Sequence, residues 1–288
     1  MLLERFKTLW GHSGSVDDAA VLARQAGFDG LEAPLPTQPE PREALGKALD
    51  QHRLQWIQEI CTAGSYVPRR DASVQEHLAD FRAQLEAGRA LGARFANVMG
   101  GCDAWPLEQS VRFFTEAQDI ALSVGVTASF ETHRGRSFFT PWNTAAVLER
   151  IPELPVTCDF SHWAVVCERL PDSEWDCVMR VAEQALHVHG RVGYDQGPQV
   201  PHPGAPEYAA ALASHQRCWE AVWASQRRRG LAGTTLTPEF GPDGYLHTLP
   251  FTNAPVGDLW DLNRWIGDHE HDHFQHWQAT QDAAGQVA

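Results

Sequence analysis

Four polar residues stand where short apolar runs end. They are Glu131 in Ser129-Phe130-Glu131-Thr132-His133, Asp159 in Cys158-Asp159-Phe160-Ser161-His162-Trp163, His189 in His187-Val188-His189-Gly190-Arg191, and Glu239 in Thr237-Pro238-Glu239-Phe240-Gly241. Each run reads as a buried strand, so four successive strand ends would aim one metal-type ligand apiece at the same place. Three carboxylates and one imidazole suit a hard or borderline divalent ion: Mn²⁺, Mg²⁺, Co²⁺ or Zn²⁺. Taken singly, a strand-end carboxylate is more often a helix cap or a salt-bridge partner. Four in succession make a site.

Such a set needs a scaffold with many parallel strand ends on one side. The chain alternates short runs rich in β-branched and aromatic residues with longer amphipathic segments, the pattern of repeated βα units. Eight units can be counted. Strands are expected near 5–10, 28–33, 55–61, 94–99, 126–131, 155–159, 185–190 and 234–239. Helices are expected near 16–26, 40–52, 73–91, 107–124, 140–150, 173–183, 205–229 and 256–276, with Ser15, Thr140, Asp172 and Asn253 as caps. No composition shift divides them, which predicts one α/β domain over residues 1–288, a closed (β/α)₈ TIM barrel with its functional residues at the C-terminal strand ends. An open doubly wound sheet would advertise a glycine-rich phosphate turn after its first strand, and Trp10-Gly11-His12-Ser13-Gly14-Ser15 lacks that spacing. Two long loops, Gly193–Pro206 and Gly241–Pro255, are rich in Pro and Gly and predict lids or walls, with Tyr194, Tyr245 and Phe251 supplying apolar contact.

Composition narrows the partners. A formal net charge of -14 opposes binding to a phosphate backbone, so nucleic acid is not expected. Met1-Leu2-Leu3-Glu4-Arg5-Phe6-Lys7 carries charges where a signal peptide needs its apolar core, and no run approaches a membrane span; a soluble, cytoplasmic protein is expected. The six cysteines show no paired spacing and read as isolated thiols.

The chain resembles the xylose-isomerase-like barrel superfamily, in which sugar isomerases and epimerases sit beside endonuclease IV. The resemblance runs from Gly27-Phe28-Asp29-Gly30-Leu31-Glu32 to Pro238-Glu239-Phe240-Gly241, and its specific part is the ordered set Glu131, Asp159 with His162 three residues on, His189 and Glu239. It implies a single-metal site ligated by Glu131, Asp159, His189 and Glu239, with His162 and Arg191 facing a carbohydrate substrate. Isomerisation or epimerisation requires a proton to leave a carbon beside a carbonyl, which a cation on the enediolate oxygens makes feasible. Two glutamates on opposite sides of the substrate can take and return that proton, and the resemblance gives this role to Glu131 and Glu239. His162 would hydrogen-bond a substrate oxygen, and Arg191 a hydroxyl or terminal anion.

The remaining strand-end residues are less specific. His133 points to the same side as Glu131 and is a candidate substrate contact; Trp10, His12, Glu32, Glu59 and Asn97 are candidate pocket residues, and Trp10 or Trp163 could cover a sugar face. Arg134 and Arg136 could bind an anionic group or stay solvated. His187 is assigned to the opposite strand face from His189, packed behind the barrel. The tract Asp268–Trp277 looks metal-binding by composition, yet continues the last helix on the barrel's outside and reads as a solvated helix end. The leading expectation is a divalent-metal-dependent sugar, keto-sugar or polyol isomerase or epimerase. Alternatives are a dehydratase of a keto-inositol-like substrate, an endonuclease IV-like nuclease and a non-catalytic sugar-binding barrel. Self-association into a homo-oligomer is left open.

Overall fold

The computed structural model describes residues 1–242 and 244–285. Eight parallel strands close into one barrel in chain order: β1 (Leu2–Thr8), β2 (Gly30–Pro34), β3 (Gln55–Cys61), β4 (Phe95–Met99), β5 (Ala128–Glu131), β6 (Val156–Cys158), β7 (Ala185–His189) and β8 (Gly233–Thr237). Around them run α1 (Val16–Gln25), α2 (Pro39–His52), α3 (Val74–Gly88), α4 (Leu107–Val124), α5 (Pro141–Arg150), α6 (Phe160–Cys167), α7 (Trp175–Ala182), α8 (Ala209–Arg228) and α9 (Leu259–Gly285). The (β/α)₈ TIM barrel expected from the βα rhythm is the fold observed.

Local chemistry explains the elements. All five residues of β4 are buried, as expected of a parallel strand covered on both faces. In α4 the buried residues Phe113, Phe114, Ala117, Ile120, Ala121 and Val124 follow the helical period, and Gly125, at a φ of 76°, closes the helix onto Ala121 and Leu122. Ser15 and Asp18 form a capping box for α1, and Thr140 caps α5. The main core lies between sheet and helices, where Phe114 stacks on Phe138 at 4.3 Å and meets Phe130 edge-on at 5.0 Å.

Several expected boundaries move. Asp172 caps nothing: a 3₁₀ turn, Pro171–Glu174, precedes α7, and Asp172 accepts from Ser214 Oγ and Arg217 instead. Asn253 sits in a loop with positive φ, and Asp258 meets the first turn of α9 through Asp261 N. The short helix α6 is absent from the expected set, because its eight residues are too uniformly apolar to show a period.

Inside the barrel the side chains form tiers. Phe6, Ile57 and Phe95 make the apolar tier. Next comes a polar tier, in which His187 Nδ1 lies 2.7 Å from Thr235 Oγ1 and its Nε2 3.2 Å from Glu32 Oε2. His187 is therefore not behind the barrel. Two residues apart means the same strand face, and His187 points inward one tier below His189.

The two long loops are fastened to each other. Gln199 accepts from Gly241 N at 2.7 Å and donates to Gly241 O at 3.3 Å, while His247 Nε2 lies 3.0 Å from the Gln199 carbonyl. Of the three aromatic residues expected over the site, Tyr245 lines it, whereas Tyr194 packs on Tyr208 and Phe251 is fully exposed. Among the described residues, no helix is long and apolar enough to cross a membrane. The six cysteines form no disulfide.

The histidine-rich tract lies mid-helix in α9, against α8: His273 Nε2 meets Glu220 at 2.7 Å, and His269 stacks on Trp265 at 4.7 Å. Between these lies Glu270, fully buried with one carboxyl oxygen bonded by Gln216 and the other without a partner among the described residues. Burial pushes its carboxyl up to about 8. Below its unfolded value both states hold the proton; between there and about 8 only the folded state does, so rising pH removes stability at up to about 1.4 kcal/mol per unit. Glu270→Gln should therefore flatten the fall in Tm between pH 5.5 and 8, raising Tm at pH 8 by several degrees. Identical pH slopes in the two proteins, followed by thermal melts, would show that Glu270 does not titrate this way.

Candidate metal and substrate site

Four strand ends converge at the C-terminal mouth. Glu131 ends β5 and His189 ends β7; Asp159 follows β6 by one residue and Glu239 follows β8 by two. One donor atom from each lies within 4.8 Å of the others, and all four residues are buried. His189 Nδ1 is 3.1 Å from Glu239 Oε2 and 3.7 Å from Glu131 Oε1 without the alignment of a hydrogen bond, so it and Glu131 Oε1 are buried atoms lacking a partner among the described residues. Donors that aim at one point rather than at each other are what a cation site requires.

Charge balance makes the same demand. Glu131, Asp159 and Glu239 contribute three negative charges, and Arg191 one positive charge through contacts to Asp159 Oδ2 and Glu239 Oε2. Among these four groups two negative charges are left uncompensated, with the Glu32 carboxylate close behind His189. Burial, against the pull of His189, raises the Glu131 carboxyl, with Glu239 and Asp159 adding to the rise. Burial likewise raises Asp159 despite Arg191. Burial would depress His189, yet Glu239, Glu32 and Glu131 overcome it and hold the imidazole well above its ordinary value. The pocket asks for positive charge at Nδ1, which a metal ion held there would supply in place of the proton.

His189 is oriented from behind. Its Nε2 lies 3.1 Å from Glu32 Oε1, so the Nε2–H donates to that carboxylate and Nδ1 is left free toward the cluster. A carboxylate behind a ligating histidine fixes tautomer and ring angle. Asn97 does the same for Glu131, donating to Oε2 at 2.9 Å and leaving Oε1 exposed to the cluster. Asp159 is held through Oδ1, which accepts from Ser161 N at 2.9 Å and from Ser161 Oγ at 2.5 Å as the cap of α6. These supporting roles were not legible in the sequence, where Glu32 and Asn97 stood only as pocket residues; only barrel closure brings β2 opposite β7.

The other expected contacts divide. Trp10, His133, Glu59, Arg191 and Glu239 line a cavity of about 650 Å³ above the cluster, with Tyr245 edge-on to Trp10 at 5.0 Å. His133 lies beside His162, ring centroids 4.0 Å apart, and these two form a second buried group with Glu131. His162 is fully buried, with Nε2 2.7 Å from Arg191 Nη2. Arg191 reaches the cavity wall, but its guanidinium engages Asp159, Glu239 and Ser161 Oγ, so its principal partners are the acids of the cluster. Arg136 is not solvated: it is buried and donates to the carbonyls of Thr62, Ser65, Tyr66 and Gly101. Arg134 lies over the Tyr245 ring at 4.9 Å. Trp163 is core, donating to Phe138 O, and His12 turns back to Ser15 O, away from the cavity. Glu59 is half-buried at the cavity edge, where desolvation, with Glu239 and Glu32 nearby, pushes its carboxyl up to about 8.

The profile of the xylose isomerase-like TIM barrel family matches residues 20–197, more than half of the chain, and the chain belongs to that family. Comparison with curated proteins by sequence finds no match. Among solved structures, an L-ribulose 3-epimerase aligns with a TM-score of 0.67 at 13% identity, covering 99% of this chain and 98% of that one. A "probable 3-DHS dehydratase" of petrobactin synthesis from Bacillus anthracis aligns at 0.57 and 13% identity, covering 91% and 97%. Endonuclease IV from Thermus thermophilus aligns at 0.55 and 15% identity, covering 97% and 100%. At such identities these likenesses concern the fold.

Asp159→Asn keeps the α6 cap but removes a charged donor, so purified protein should carry markedly less divalent metal than wild type, read by elemental analysis. Glu32→Gln should weaken metal affinity about 10- to 100-fold while the fold persists, the usual scale for loss of a supporting carboxylate. Wild-type metal content in Asp159→Asn would remove Asp159 from the site.

Proposed function

We propose that this protein is a divalent-metal-dependent isomerase or epimerase of a sugar, keto-sugar or polyol, with Glu131, Asp159, His189 and Glu239 as ligands. The observation that carries the reading is the convergence of four buried donors, two of them unpartnered, on the floor of a cavity walled by Trp10 and Tyr245. A bound ion supplies Lewis acidity for a carbonyl and its neighbouring oxygen. The protein does the rest. Trp10 and Tyr245 offer apolar faces to a sugar ring, and His133 a polar contact beside it. Glu131 and Glu239 take a proton from the carbon beside the carbonyl and return it, their basicities set apart by surroundings: burial and neighbouring acids raise Glu131, whereas His189 and Arg191 overcome burial and lower Glu239. Arg191 keeps the excess negative charge tolerable.

A second reading, dehydration, is favoured by one observation. Glu59 faces the cavity as a neutral acid near pH 7 and is placed to protonate a departing hydroxyl, which isomerisation does not require. A nuclease reading is disfavoured, because the net charge of -14 and Asp80 at the cavity oppose a phosphate backbone.

Keto-sugars and keto-inositols incubated with metal-loaded enzyme in deuterated water should gain one deuterium without change of composition; loss of water would establish the dehydratase instead. Glu239→Gln, compared at saturating metal, should lower turnover by roughly 10² or more with little change in Tm. Wild-type turnover in that variant, or intact transfer of substrate-bound deuterium to the neighbouring carbon, would exclude the glutamate mechanism.

A further inference from the structure

The cavity is larger than the reacting end of a sugar needs. Its volume of about 650 Å³ falls in the range of roughly 300–1,000 Å³ that houses drug-sized ligands, far beyond a single six-carbon sugar. The excess lies on one side. From the strand ends the cavity runs past Cys61 and Met99, over Pro34 and Leu35, and out along α3. On that helix Asp80, Ala83, Gln84 and Ala87 share one face by their spacing, and Ala83 and Ala87 are exposed.

The lining indicates what fits. Pro34, Leu35, Ala83, Ala87 and Met99 make most of its surface without polar side-chain groups, with Thr37, Ser65 and Tyr66 the hydroxyl-bearing residues beside them. Several of the polar groups beside them are engaged within the protein, Ser65 Oγ with Val67 O at 3.3 Å among them. Asp80 accepts from Ala63 N at 2.7 Å and from Gln84 Nε2 at 2.8 Å; Gln84 also donates to Cys61 O at 3.0 Å; Arg42 donates to Pro36 O. A second sugar would forfeit much of its hydration over the Pro34, Leu35, Ala83 and Ala87 surface, whereas a flat apolar group would not.

We infer that the substrate is a glycoside rather than a free monosaccharide: its sugar lies over the four-ligand cluster, and an apolar, aryl-type aglycone lies in the cleft between α2 and α3. This rests on the carbohydrate reading above and adds the class of substrate. The cleft is continuous with the site, so one molecule spans both.

The test uses metal-loaded full-length protein and calorimetric binding of the 4-nitrophenyl glycosides of glucose, galactose and xylose, each against its free sugar and a disaccharide. At least one aryl glycoside should bind about tenfold or more tighter than its free sugar and than the disaccharide. Ala83→Trp, at an exposed helix position, should abolish that gain while leaving free-sugar binding unchanged, and Ala87→Trp provides a second block should the first perturb the helix. No gain for any aryl glycoside, an equal gain for disaccharides, or a gain that survives both substitutions overturns the inference. Turnover assays on the same preparations separate the two readings. Aryl-glycoside binding that both tryptophans abolish, without turnover of any sugar or its keto form, would reject the isomerase reading and keep the cleft as the aglycone site.

Discussion

Three carboxylates brought together out of water are the constraint on which the rest of this molecule turns. Glu131, Asp159 and Glu239 repel one another in surroundings that screen poorly, and a barrel mouth that merely collected them would lose their charge by protonation. Two partially offsetting groups stand in the same shell: Arg191, paired with Asp159 and Glu239, and His189, with a carboxylate on each side. Neither completes the balance. The geometry of the site follows from this deficit, since Glu131 and Asp159 are each tethered by one oxygen, to Asn97 and Ser161 respectively, and turned so that the other faces the shared point.

The tiers below serve the same end. Glu32 bridges His187 and His189 and ties them through Thr235 and Thr237 to β8, so the position of one ligand is fixed by neighbouring strands as well as by its own. A buried polar network of this kind is tolerated because its members satisfy each other, and its reward is a histidine with one tautomer and one orientation. The apolar tier of Phe6, Ile57 and Phe95 seals the network from below.

Much of the architecture was legible because it is written in local pattern. The strands read as β-branched or aromatic runs and the helices as amphipathic periods, and β3 and α4 lie where those periods place them. The polar strand ends were legible for the same reason, since a charged residue that closes an apolar run breaks the pattern at one definite position. What pattern could not show depends on closure. Arg136 and Arg191 look alike in sequence; one is consumed by four backbone carbonyls of neighbouring loops, the other by the acids of the cluster. The inward position of His187 follows from the strand period of two, which puts it on the face of His189. The separation of α2 from α3 at the mouth is a property of no single segment.

Gln199 gives the wall of the site a particular thermodynamic character. A glycine- and proline-rich loop that is loose in the free protein must be ordered each time ligand arrives, at about 1–2 kcal/mol for every residue whose backbone is fixed. Here one side chain holds both the N–H and the carbonyl of Gly241, and His247 returns to the Gln199 carbonyl. The ordering of two loops has thus been settled during folding, and what a ligand gains from touching Tyr245 is not drawn down by immobilising the segment that carries it.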